Sequence, residues 1–101
     1  MKENIMIIPN NNNLLEKELK NNPKKYIDNV FDCFISEIKK DSIPDNIKLF
    51  KFEKTELQVI VKREHYMTNL ENILDYYIKQ EEYEKCDKLA KLKSILNKEE
   101  L

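Results

Sequence analysis

Apolar residues recur at helical spacing over three stretches of this chain and alternate over a fourth. Between Pro23 and Lys40, residues Tyr26, Ile27, Val30, Phe31, Phe34, Ile35 and Ile38 share one face of a predicted amphipathic helix. Asn22 is placed to cap that helix and Pro23 to open it, where a missing N–H costs nothing. Asp41, Ser42 and Pro44 end it, because proline disfavours helical geometry in the residue before it. From Leu49 the period changes to two. A turn at Lys54 and Thr55 predicts a β-hairpin in which Phe52 faces Leu57, Phe50 faces Val59, and Val61 extends the same apolar side. On its mixed side Lys51 opposes Gln58, Leu49 opposes Ile60 and Glu53 opposes Glu56. Because this turn lacks the asparagine or glycine that a tight hairpin prefers, a longer loop is the alternative.

From Glu64 onward two further helices are predicted. The first carries Met67, Leu70, Ile73, Leu74, Tyr77 and Ile78, and the second carries Tyr83, Cys86, Leu89, Ala90, Ile95 and Leu96. The break at Lys79 to Glu82 is short, so the pair forms an antiparallel helical hairpin. Neither helix can end on a glycine, which predicts frayed or lysine-capped ends. At the other end of the chain, Asn4 to Ile8 reads as an edge strand or tail, and Asn10 to Asn13 as a mobile connector. Leu14 to Asn21 is long enough for a short helix. The expected fold is therefore α+β and a single small domain over residues 1–101. An amphipathic helix packs on a β-hairpin that has room for a third N-terminal edge strand, and a C-terminal helical hairpin follows at residues 64–97.

Composition narrows the chemistry. There is no glycine among the 101 residues, which removes phosphate-cradling P-loops, dinucleotide-binding turns, nucleophile elbows and EF-hand calcium loops. Abundant asparagine, isoleucine and lysine suggest an AT-rich coding sequence, such as that of a bacterium or phage of low GC content, and this bias accounts for part of the glycine deficit. A net charge of −1 gives no global attraction to nucleic acid or anionic lipid. The longest apolar run, Ile5 to Ile8, is far short of the roughly 20 residues of a membrane helix and of the h-region of a signal peptide. A cytoplasmic location is expected, of a bacterium or of a phage's host cell, with Cys33 and Cys86 as reduced thiols.

Candidate chemistry is sparse. His65 is the only histidine, and with two distant cysteines it does not make up the ligand set of a zinc site. No cofactor is expected. Cys86 lies on an apolar stripe and Cys33 borders one, so both read as small buried hydrophobes, not as nucleophiles. Glu81, Glu84 and Asp87 precede Lys85, Lys88 and Lys91 by four positions, the arrangement of a solvated, self-paired helix face.

The stretch from Leu70 to Leu96 resembles the UVR motif, a helical hairpin of the nucleotide-excision-repair helicase subunit and its nuclease partner. Leu74 and Ile78 match the apolar pair of its first helix, and Glu82, Tyr83 and Glu84 its acid, aromatic, acid step. Cys86 stands at a small-residue place and Leu89 at the apolar one. Ala90 and Lys91 depart from the usual Arg-Asp pair, and Asp87 from the second small residue. The resemblance implies a protein-interaction element that pairs with another such hairpin.

The functional expectation is a non-enzymatic protein–protein interaction module, a small adaptor or inhibitor. Its partner is another protein or a second copy of itself in a homodimer. Residual apolar surface at Met67, Tyr76, Tyr77 and Leu92 is the expected interface. Leu92 lies nearly opposite Ala90 on its helix, so one of the two faces away from the core. The alternative reading is a nucleotide or single-stranded nucleic-acid binding protein using the lysine ridge of the last helix, through Arg63, His65, Lys85 and Lys88.

Overall fold

The fold begins with a strand that joins the sheet from a distance. In the computed structural model, which describes residues 5–99, β1 (Met6–Ile8) lies parallel to β2 (Asn46–Phe52), and β2 pairs antiparallel with β3 (Gln58–Lys62). The strand order is β1-β2-β3, so the expected N-terminal edge strand is present; its first expected residue, Asn4, lies outside the described residues. Among the described residues there are also four helices, α1 (Asn12–Asn21), α2 (Pro23–Glu37), α3 (Tyr66–Lys79) and α4 (Tyr83–Glu99), with a short 3₁₀ turn at Arg63–His65 leading into α3. The architecture is α+β, and its last two helices form the C-terminal hairpin.

The asparagine run is a helix start where a connector was expected. The side chain of Asn11 accepts from the Leu14 amide at 3.0 Å, and Asn12 and Asn13 form the first turn of α1. Asparagine favours this position because its short side chain satisfies an amide that has no partner within the helix. Asn22, the expected cap of α2, makes no side-chain capping bond; its own amide closes α1 by donating to the Glu18 carbonyl at 2.8 Å. α2 ends at Glu37, three residues before the expected boundary at Lys40. Ile38 turns extended (φ −91°, ψ 114°) and buries its side chain, and Lys39 and Ser42 then bridge each other through their backbones.

The hairpin departs from its expected register at one place. Phe50 faces Val59 and Lys51 faces Gln58, as the alternation predicts, but Lys48 instead of Leu49 pairs with Ile60. Leu49 is the extra residue of a β-bulge, which breaks the period-two rule locally and turns its side chain into the core. The bulge also aims its carbonyl at α2, where Asn29 Nδ2 donates to it at 2.7 Å. Beyond Phe52 the strands are joined by a loop over residues 53–56, in place of a two-residue turn. Lys54 adopts φ 59° there, and Thr55 Oγ1 both donates to the Phe52 carbonyl and accepts from the Leu57 amide.

One core unites the elements: Phe31, Phe34 and Ile38 of α2, Ile47, Leu49 and Val61 of the sheet, and the inner faces of α3 and α4. Edge-on aromatic contacts knit it, with Phe31 and Tyr77 at 5.5 Å between ring centroids. The opposite face of the sheet is left open: Ile7, Lys48, Gln58, Ile60 and Lys62 are all exposed there. Among the described residues no helix is long and apolar enough to cross a membrane.

Candidate functional site

The closed end of the α3/α4 hairpin carries a connected network of polar side chains. α3 stops without a glycine. Glu81 takes the left-handed conformation (φ 60°), its amide bonds the Ile78 carbonyl at 3.0 Å, and the Glu82 amide bonds that of Tyr77 at 3.0 Å. These are the paired bonds of a Schellman turn with glutamate where glycine is usual, so the frayed or lysine-capped end expected for α3 is not what forms. Glu81 contributes its backbone to the turn while its side chain is exposed, and Lys85 reaches elsewhere.

What Lys85 reaches is α2. Its ammonium lies 3.2 Å from Asp28 Oδ1 and 3.2 Å from Glu82 Oε1, while Lys24 lies 3.0 Å from Asp28 Oδ2 and 3.0 Å from Glu82 Oε2. Two cations and two carboxylates thus alternate in a closed ring that joins α2 to the start of α4. Tyr77 of α3 adds a hydroxyl bond to Asp28 Oδ1 at 2.5 Å. Lys85 also lies over two rings, 5.0 Å from the centroid of Tyr77 and 5.6 Å from that of Phe31.

These contacts set the protonation states. Desolvation pushes the Asp28 carboxyl up, but hydrogen bonds from Tyr77, Lys24 and Lys85 outweigh it and hold the group below the usual carboxylate value. Bonds from Lys24 and Lys85 likewise depress Glu82. Lys24 is raised by its bonds to Glu82 and Asp28, and Tyr77 is raised by burial and by its bond to Asp28. At neutral pH all four therefore keep the forms that suit the ring: ionised acids, a charged lysine, a neutral phenol. The arrangement suits a clamp that fixes the hairpin on α2.

The residues expected to form an interface are placed differently. Tyr77 is wholly buried and Leu92 is 6% exposed, so both belong to the core. Ala90 is the residue that faces outward. Met67 and Tyr76 are half-buried against that core, Tyr76 edge-on to Tyr77 at 5.4 Å. The apolar residues that the hairpin leaves in solvent are instead Ile78, 49% exposed, and Tyr83, 64% exposed, on either side of the Glu81 turn. No family model, curated protein or solved structure matches this chain. Its site therefore rests on its own geometry.

The cations of the nucleic-acid alternative are dispersed. Arg63 and His65 stand in the 3₁₀ turn after β3, where Arg63 lies 3.9 Å from Asp45 and His65 contacts Glu64 at 3.4 Å. Lys85 is taken up by the ring, and Lys88 is exposed on α4. Lys91 pairs with Asp87 at 3.4 Å, and Lys93 crosses to Glu71 of α3 at 3.3 Å. Both cysteines are free and half-buried; burial first, then the neighbouring Asp32 and Glu37, pushes the Cys33 thiol up, away from the reactive thiolate.

Asp28 is not among the residues that the sequence singles out. Its spacing from Lys24 was the available signal, but a lone i,i+4 pair on a surface helix does not announce that Glu82, Lys85 and Tyr77 will arrive from 49 or more residues away.

Proposed function

We propose that the chain is a non-enzymatic protein-interaction module, a small adaptor or inhibitor, that docks its partner through the closed end of the α3/α4 hairpin. The observation that carries this reading is the exposed pair Ile78 and Tyr83, held on both sides of a turn that the backbone bonds of Glu81 and Glu82 make rigid. Rigid apolar groups bind with less ordering cost than flexible ones, and tyrosine is enriched at interface hot spots. Ile78 and Tyr83 also stand at UVR-like positions, which supports pairing with a second helical hairpin on the partner. Two unpaired thiols favour a reducing cytoplasm as the setting.

The test is site-specific photo-crosslinking in extract of the native source, with a benzophenone amino acid placed at Tyr83 or, as control, at exposed Ser94. A discrete protein adduct from position 83 alone is expected, and the variant Ile78→Ser should reduce it while circular dichroism is unchanged. Equal labelling from both positions would overturn the hairpin as the docking site.

A further inference from the structure

The two edges of the sheet are treated unequally. β1 is three residues long and is followed at once by Pro9, which has no N–H to offer; short strands and proline are the usual guards of a sheet edge. β3 is five residues, Gln58-Val59-Ile60-Val61-Lys62, with no proline, and the bulge of the sheet is on its neighbour. The one charged guard on β3 is Lys62 at its end, and the β-rich run before it, at an open edge, invites strand addition. The orientation of its backbone groups follows from two bonds at its ends. Leu57 accepts from Phe52, and the Arg63 amide donates to Asp45, so odd-numbered residues turn toward β2. By alternation Gln58, Ile60 and Lys62 turn their amides and carbonyls outward. A depression of 470 Å³, lined in part by Val59, Ile60, Val61 and Asn69, lies beside this strand.

The geometry points to a second copy of this chain as the occupant of that edge. In an antiparallel pairing of β3 with β3 about a two-fold axis at Ile60, the outward-facing residues become the hydrogen-bonded positions, with Ile60 opposite Ile60 and Gln58 opposite Lys62 on each side. On the helix-covered face Val59 meets Val61. The pattern is its own complement: apolar residues meet apolar ones, and the two Lys62 side chains are kept apart, each against a glutamine. On the open face Gln58 then sits between Lys51 of its own chain, its β2 partner, and Lys62 of the other copy, so its carbonyl oxygen is placed to accept from a lysine. Joining the edges makes one continuous sheet and sets Ile60, 44% exposed in the single chain, beside its own copy. This inference rests on the reading of the chain as an interaction module, but it assigns self-association to the sheet edge and leaves the hairpin tip to another protein.

The experiment is sedimentation equilibrium of the full chain from micromolar to millimolar concentration, with circular dichroism as the control for folding. The wild type is expected to dimerise. Ile60→Lys, which sets two ammonium groups at the axis, should be a folded monomer. Gln58→Glu, which sets a carboxylate between two lysines at two symmetric places, should tighten the dimer about fivefold, and Gln58→Lys should weaken it by a similar factor. Ile78→Ser with Tyr83→Ser should leave the dimer intact. A wild type that stays monomeric to millimolar concentration would overturn the inference and leave the edge to a strand of another protein. So would a dimer indifferent to both Gln58 substitutions, or one lost only with the Ile78 and Tyr83 pair. That last result would move self-association to the hairpin and uphold the interaction reading.

Discussion

The hydroxyl of Tyr77 donates to Oδ1 of Asp28 at 2.5 Å, across 49 residues of sequence, and so ties the core of α3 to the polar rim of α2. The carboxylate it meets also binds two lysines, and this makes Tyr77 both a core ring and a member of the ionic clamp. Tyr77→Phe keeps the ring and removes the bond. Because a hydrogen bond to a charged group contributes about 1.5 to 3 kcal/mol and Asp28 is partly open to water, a loss of about 1 kcal/mol is expected in urea denaturation. Asp28→Ala, which leaves the buried phenol without its acceptor and both lysines with Glu82 alone, should cost about 2 kcal/mol. A double-mutant cycle giving no coupling between the two would refute the bond's contribution.

The clamp predicts the acid limb of stability. Asp28 and Glu82 have folded-state values below the ordinary carboxylate range. The unfolded chain therefore takes up protons first as pH falls, and the contribution is complete above about pH 5 and lost as pH drops through about 4 toward the folded values. At the other extreme, burial, aided by Glu18, raises Tyr26 from 10 to about 12, and burial raises Tyr66 to about 12 against the opposing charge of Arg63. The folded state holds these protons longer, so that stability is present below pH 10 and lost as pH rises through about 12. Thermal melts from acid to alkali should show a plateau between the two limbs, and Asp28→Asn should lower the plateau and flatten the acid limb. An acid limb identical in that variant would exclude Asp28 as its source.

Among the described residues two non-glycine residues sit in the left-handed region, Lys54 at φ 59° and Glu81 at φ 60°. Glycine has no Cβ to clash there, although it loses more freedom on folding. The balance favours Glu81→Gly and Lys54→Gly by about 0.5 to 1 kcal/mol each, measured as a raised urea midpoint. A lowered midpoint for Glu81→Gly would show that its side chain contributes more than the strain costs.

Leu92 and Ala90 offer a contrast two residues apart on α4. Leu92 is 6% exposed and Ala90 is outside the core. Leu92→Glu places an unpaired carboxylate among Leu89, Leu96 and their neighbours and should cost about 3 kcal/mol or more, a large fraction of the roughly 5 to 15 kcal/mol that keeps a small domain folded. Ala90→Glu should stay within about 0.5 kcal/mol of the wild type. Equal effects at the two positions would contradict the orientation of α4.

Much of the fold was legible because it depends on residues close in sequence. The apolar spacing of Tyr26 to Ile35 and of Leu70 to Tyr77 identifies helix faces whatever they pack on, and the break at Lys79 to Glu82 marks the hairpin turn. The alternation around Phe50 and Val59 specifies their pairing. The bulge at Leu49 was not legible, because its carbonyl is satisfied by Asn29, 20 residues away, and nothing in the strand itself marks the extra residue. The burial of Tyr77 and Leu92, both expected at an interface, was not legible for a related reason. Tyr77 and Leu92 were identified correctly as apolar, but whether an apolar residue is covered depends on the second helix that arrives above it.

Local pattern alone determined the α+β class, the helical hairpin and most core faces, since period and residue type act through the backbone within a few positions. Only the tertiary structure decided which of Leu92 and Ala90 turns inward, how Lys24, Asp28, Glu82 and Lys85 close into a ring, and that β3 keeps an open edge while β1 is short and followed by proline. Each of these is a contact, or a missing contact, between segments far apart in sequence. Its energy depends on distances that exist only once the core has formed.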